Sequence, residues 1–280
     1  MYGPDYLSRK LSALGVEKGD TLFIHSAFSA VGPVEGGAEG FLDALAEAVG
    51  PEGTLVFPTF SSSGKPFSVT DTPSKTGLLS EMFRLRPGAL RSRQPTHSVA
   101  AAGRRAAEIT GGEWVMETTC GEGSPFAYLA RSDAKQMMLG VDLNRCTMMH
   151  ACEDMAGFGF LVPQIIVAPP EGAPGITHIH NNPPGHRAFI HMMHRARGMD
   201  WFIQGYIGAA RVLLYPIRKM HELCLELLIE NKYLFLCENE SCNSCMEMRG
   251  RTPDPELTGT CAAEKCEVCR FTESYLCAEN

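Results

Sequence analysis

Long apolar runs are missing from these 280 residues: none approaches the roughly 18 that a membrane-crossing helix needs. The opening MYGPDYLSRKLSALG lacks the basic-then-apolar layout of a secretion signal, so the chain is expected in the cytoplasm, with no membrane partner. Basic residues are in deficit, 25 Lys and Arg against 32 Asp and Glu, for a net charge of −7. That deficit argues against the concentrated positive face that nucleic acid demands, and it suits the steering of small cations. The glycines of VEGGAEG (34–40) miss the G-x-G-x-x-G spacing and so give no support to a dinucleotide loop. Low-complexity stretches are absent too. What is present is 44% hydrophobic and 20% charged residues, enough apolar material for one large core or two modest ones.

From residue 5 to about 168, short apolar runs alternate with helical patterns. This is the mark of an α/β fold with a mostly parallel central sheet flanked by helices. DTLFIHSA (20–27) and GTLVFPTF (53–60) read as buried strands, and GAEGFLDALAEAVG (37–50) as a helix stopped by Gly50. Phe41, Leu42, Leu45 and Val49 share one face of that helix. A helix over 76–88 ends at Pro87 and Gly88, and strands follow at 98–103 and 135–142. In GEGSPF (121–126), Ser124 is placed to cap a helix that Pro125 begins. A strand over 160–170, a long loop over 169–186 rich in Pro, Gly, His and Asn, and helices over 187–198 and 206–231 complete the pattern. Composition shifts near 236, dividing the chain into an α/β domain over 1–235 and a cysteine-rich tail over 236–280.

Seven of the 11 cysteines lie between 237 and 277. Their spacing repeats, Cys237-x4-Cys242-x2-Cys245 and then Cys261-x4-Cys266-x2-Cys269. Each C-x2-C knuckle turns two thiolates toward one tetrahedral ion, so zinc is the expected occupant. The leading C-x4-C-x2-C also fits an iron–sulfur run.

The stretch MMHACEDMAG (148–157) sets a base beside acids. Thr147 is placed to cap its helix, on which His150 and Glu153, at i and i+3, share a face. An imidazole held by a carboxylate gains basicity and a fixed tautomer, the equipment for removing a proton near neutral pH. Cys120, Cys146 and Cys152 lie near this histidine in sequence and would permit a covalent acyl-enzyme, but none has a nucleophile's context, and all three read as buried structural cysteines. HSAFSAVG (25–32) leaves a strand through small residues, where backbone N–H groups can face phosphates or amides.

Five stretches in order resemble the aminoglycoside 3-N-acetyltransferase family over about residues 5–215. They are GDTLFIHSAFSAVGPVEGGAEGFLDALAEAVGPEGTLVFPTFS, RPGALRSRQPTHSVAAAG, GEGSPF, LGVDLNRCTMMHACE and GYIGAARVLL. The resemblance implies an α/β fold distinct from the GNAT acetyltransferases, acetyl-coenzyme A as co-substrate, and a small-molecule amine, an aminoglycoside or amino sugar, as acceptor. It implies His150 as general base with Glu153 as its following acid. It also implies that His25, Ser26, Ala27 and Phe28 line the coenzyme site, joined by Ser61, His97, Ser98 and Val99. Two acids of the family pattern are missing, since neither TFSSSGKPF (59–67) nor NNPPGHRAF (181–189) contains a carboxylate. Asp71 is the next acid after the first stretch, and His186 in the second is a candidate acid–base group in its place. The missing acids and added cysteines motivate a rival from another class, a metal-binding interaction protein that keeps the fold without transfer activity.

Overall fold

Three layers, one sheet between two sets of helices, follow from how the strands distribute their side chains. The computed structural model describes residues 1–61, 67–112, 119–157, 188–236, 245–246 and 249–250, with the backbone strands at 164–167 and 178–181. The chain runs α1 (Pro4–Ala13), β1 (Thr21–Ser26), α2 (Gly37–Val49), β2 (Thr54–Pro58), α3 (Leu78–Arg84), β3 (Leu90–Arg91), β4 (Val99–Gly103) and α4 (Ala106–Thr110). It continues through α5 (Pro125–Arg131), β5 (Lys135–Leu139), α6 (Met148–Met155), β6 (Gln164–Val167), β7 (His178–Asn181), α7 (Ile190–Ala196), β8 (Ile203–Ile207), β9 (Ala210–Pro216) and α8 (Ile217–Glu230). A seven-stranded sheet has the order β3-β4-β2-β1-β5-β9-β8, and β6 and β7 pair separately as an antiparallel ribbon.

The sheet is mixed rather than mostly parallel. Only β1 pairs in parallel, with β2 on one side and β5 on the other. The β4, β3, β9 and β8 pairings are all antiparallel. The parallel centre is where crossover helices fit, and the flanks are hairpin-like returns that need no crossover.

Alternation along each strand divides the core in two. Phe23, Val56, Val99, Ala101 and Met138 face one side and pack with α4, α5, α6 and α8. Leu22, Ile24, Leu55, Phe57, Ala100, Met137 and Leu139 face the other and pack with α1, α2 and α3. The amphipathic face expected for α2 is buried as predicted: Phe41, Leu42, Leu45 and Val49 are in this second core, and Gly50 stops the helix at φ +67°. The Ser124 cap also forms, its hydroxyl accepting from the Ala127 N–H. Among the described residues no helix is long and apolar enough to cross a membrane.

Two further expectations fail. The segment expected as one helix over 206–231 opens with the end of β8 and the whole of β9, and the helix α8 spans only 217–230. Residues 178–181, expected within a loop, form β7.

Candidate active site

The parallel strands β1, β2 and β5 end at Ser26, Pro58 and Leu139, on the same edge of the sheet. From β1 the neighbours are reached in opposite directions, which makes this edge a topological switch point, where open α/β sheets hold their ligands. The segments leaving that edge carry nearly every described residue expected in the site: Ser26–Phe28 after β1, Ser61 after β2, His97–Val99 entering β4, and α6 beyond β5.

On α6 the i, i+3 spacing delivers the expected pair. His150 Nδ1 lies 2.9 Å from Glu153 Oε2, with side-chain exposures of 13% and 8%. A carboxylate only accepts, so Nδ1 carries the imidazole proton and the lone pair is on Nε2. The pair is charge-capable and shielded from bulk water, and Coulomb attraction is stronger in such surroundings. Phe189, which begins the chain segment into α7, lies edge-to-face on the His150 ring at 4.8 Å between centroids. Phe235 meets Phe189 in the same way at 4.8 Å. Asp71 is not the orienting acid, because its carboxylate accepts from Ser68 Oγ at 2.8 Å on the surface.

The residues expected against the coenzyme separate into two groups. Ser26, Ala27, Phe28, Ser61 and His97 are half-buried around the turn leaving β1 and the loops opposite it. The Ala27 N–H donates to the Leu139 carbonyl at 2.8 Å, and the Ser61 hydroxyl donates to the Pro95 carbonyl. His25, Ser98 and Val99 instead place their side chains in the interior, at 6%, 0% and 0% exposure. These three residues present almost no surface to a ligand, and the Val99 N–H and carbonyl are already bonded to Ser92.

The His97 ring lies tilted against Phe60, 4.7 Å between centroids. Burial, helped by nearby His150, pushes its imidazole down to about 3, so it is neutral at neutral pH. Thr96 Oγ1 donates to Gln94 Oε1 at 2.9 Å, so it accepts from His97 Nδ1 at 3.2 Å and leaves the His97 lone pair on Nε2. Next to it, Arg91 is buried and bonds to Ser98 Oγ and Thr59 Oγ1, both at 3.2 Å, and to the Thr72 carbonyl at 2.5 Å. Burial lowers this guanidinium to about 10, which leaves it charged while it ties the loop after β2 to β4.

The nearby thiols are unsuited to acyl transfer. Cys120, Cys146 and Cys152 are free and buried. Burial raises all three, Cys146 to about 11, so each is a protonated thiol rather than a thiolate. His186 lies outside the described residues, as do Cys237, Cys242, Cys261, Cys266 and Cys269. Cys245 is described and fully buried. Among the described residues no group of three or more His, Cys, Asp or Glu is placed to hold a metal.

Residues 23–229 match the family model for aminoglycoside 3-N-acetyltransferases. The chain belongs to that family. Aminoglycoside N(3)-acetyltransferase VII of Streptomyces paromomycinus is 35% identical over 172 residues, covering 54% of this chain and 59% of that protein. The chain thus aligns with about three-fifths of the length of such curated relatives. Among solved structures, apo aminoglycoside acetyltransferase AAC(3)-IVa superposes with a TM-score of 0.82 at 26% identity, covering 89% of this chain and 97% of that one. A mutant of the same enzyme in complex with apramycin matches at 0.74 and 27%, over 83% and 94%. AAC-IIIb, crystallised with CoASH, matches at 0.70 and 25%, over 81% and 96%.

Sequence reasoning overlooked what braces this family member's site. Gln136, buried in β5, and Thr147, whose hydroxyl does not cap α6, both bond to His25. The one available signal was a glutamine inside the apolar run KQMML, since a buried amide must find partners.

Proposed function

We propose that this protein is an acetyl-CoA-dependent N-acetyltransferase that acetylates an amine of an aminoglycoside. The observation that carries this is the shielded His150–Glu153 pair, 2.9 Å apart, at the switch-point edge of the sheet. Support comes from family membership and from relatives that hold coenzyme A or apramycin in their structures.

In this reading the acceptor amine attacks the thioester carbonyl of acetyl-CoA while His150 Nε2 takes the amine proton. Glu153 holds the imidazole by its Nδ1–H and stabilises the imidazolium that forms. As the new C–N bond completes, the C–S bond breaks, and the imidazolium returns its proton to the departing thiolate. Ser26, Ala27, Phe28, Ser61 and His97 are proposed to face the coenzyme, and His186 to serve as a second acid–base group. Dependence on acetyl-CoA, an intracellular metabolite, suits a cytoplasmic enzyme.

Thiol release from acetyl-CoA across a panel of aminoglycosides and simpler amines tests this reading. His150→Ala is expected to lower amine-dependent release by about 10²- to 10⁴-fold, the usual span for losing a general base. A folded wild-type protein that neither binds acetyl-CoA nor releases thiol with any amine would overturn it.

We also propose that the transferase unit ends near residue 235 and that the tail beyond it holds zinc through its C-x2-C knuckles. That rests on sequence spacing alone. Elemental analysis of freshly purified protein with less than stoichiometric zinc would end the metal proposal.

A further inference from the structure

The histidine of the strand β1 does something other than meet coenzyme. His25 and Phe23 project from β1 onto the face covered by α6, and Gln136 projects from the paired β5 onto the same face, opposite Phe23. Gln136 Nε2 lies 2.9 Å from the Phe23 carbonyl and 3.0 Å from His25 Nδ1. An amide nitrogen only donates, so His25 Nδ1 accepts and the ring proton is on Nε2. His25 Nε2 is 3.2 Å from Thr147 Oγ1, and the Thr147 backbone N–H also points to it from 3.4 Å, so two groups of one residue compete for this nitrogen. With Nδ1 taken by the Gln136 donor, a neutral ring carries its proton on Nε2, and of the two groups only the hydroxyl oxygen, the nearer one, can accept it.

Thr147 stands at the N-cap of α6, yet its side chain makes no capping bond to that helix. Its hydroxyl is committed to the sheet instead. The Thr147 carbonyl meanwhile accepts the His150 N–H at 3.0 Å, so the threonine is joined on one side to His25 and on the other to the backbone of His150. α6 has only 8 residues, too few to define its own position, and its placement must come from ties of this kind.

We propose that His25 is a positioning residue: through the Thr147 hydroxyl it sets where α6 begins and hence where His150 presents its Nε2. This rests on reading His150 as the base. It departs from the expectation that His25 lines the coenzyme site, and the two assignments predict different kinetics. Loss of a coenzyme contact raises KM for acetyl-CoA. Loss of positioning lowers kcat, because displacing a catalytic group by about an ångström is enough to cost up to 100-fold.

The test uses the full-length protein. Thr147→Val removes the hydroxyl and keeps the shape, and it is expected to lower kcat about 10-fold or more with KM for acetyl-CoA and amine within about twofold. Thr147→Ser keeps the hydroxyl and is expected to restore wild-type kcat. Adding Thr147→Val to His25→Phe should cost nothing further, because the bond is already gone. Wild-type kcat in Thr147→Val, or a raised KM for acetyl-CoA with kcat unchanged, overturns the proposal.

A second measurement needs no turnover and so separates this proposal from the acetyltransferase reading itself. In ¹⁵N–¹H spectra of the histidine side chains of the wild-type protein, His25 should show the Nε2–H tautomer, and the His150 resonances should shift in Thr147→Val. An Nδ1–H tautomer at His25 overturns the proposal even if Thr147→Val does not fold, and so do His150 signals unmoved in a folded Thr147→Val.

Discussion

Glu153 shows what one carboxylate contributes at the residue scale. It touches nothing that reacts in the proposed chemistry and acts by gripping His150 Nδ1 at 2.9 Å. Glu153→Gln preserves the shape and an acceptor but removes the charge opposite the imidazolium that forms during transfer. A charge-assisted bond is roughly twice as strong as a neutral one, so kcat is expected to fall about 10- to 100-fold with little change in KM, as steady-state kinetics will show. This pair was legible in the sequence because three residues along a helix return to the same face. The bracing of His25 was not. Its partners Gln136 and Thr147 lie 111 and 122 positions away, and only the strand register brings them together. Chain-local pattern reading has no access to such a contact, and the ligand role expected for His25 came from the family resemblance.

Among the elements, those whose apolar pattern is self-sufficient were read correctly. The buried strands β1, β2 and β5 and the amphipathic α2 announce themselves within a dozen residues. The β8–β9 hairpin did not, because β8 is an edge strand with mostly exposed or half-exposed residues, and its run into β9 and α8 reads as one helical pattern. The turn between them rests on Gly208 at φ +60°, where an added Cβ would fall 2.1 Å from the Val31 carbonyl oxygen. Gly208→Ala therefore meets both left-handed strain and a backbone collision, and it should destabilise the protein by about 3 kcal/mol. A lower urea midpoint at an unchanged slope is the expected signature. Parallel order was likewise over-assigned: alternating strands and helices imply crossovers, but nothing in the residues of β4 or β9 states the direction in which they rejoin the sheet.

For the molecule as a whole, buried histidines set the response to acid. Burial holds His25 and His97 at about 3 in the folded state, against about 6.5 when unfolded, and it lowers His221 as well. Each native imidazole stays neutral while its unfolded counterpart takes up a proton. Their contribution to stability is therefore complete above pH 6.5 and shrinks as pH falls toward 3. For His25, at 6% exposure, the loss between pH 6.5 and pH 5 is about 2 kcal/mol. Carboxylates with lowered values, such as Glu81 and Asp133, begin to lose their contribution only near their ordinary values of 4.5 and 3.8, below the range from pH 7 to pH 5. Melting temperatures measured from pH 7 down to pH 5 should fall steadily, and His97→Asn should flatten the decline.

The edge-on contacts of Phe235 with Phe189, and of Phe189 with His150, put the chain just past α8 only two rings from the imidazole. Any event that tugs on the chain just past α8, whether cleavage, a bound ion or a docked neighbour, would be felt as a tilt of that ring. Trimming the protein back to residue 230 should accordingly silence catalysis while leaving most of the sheet intact.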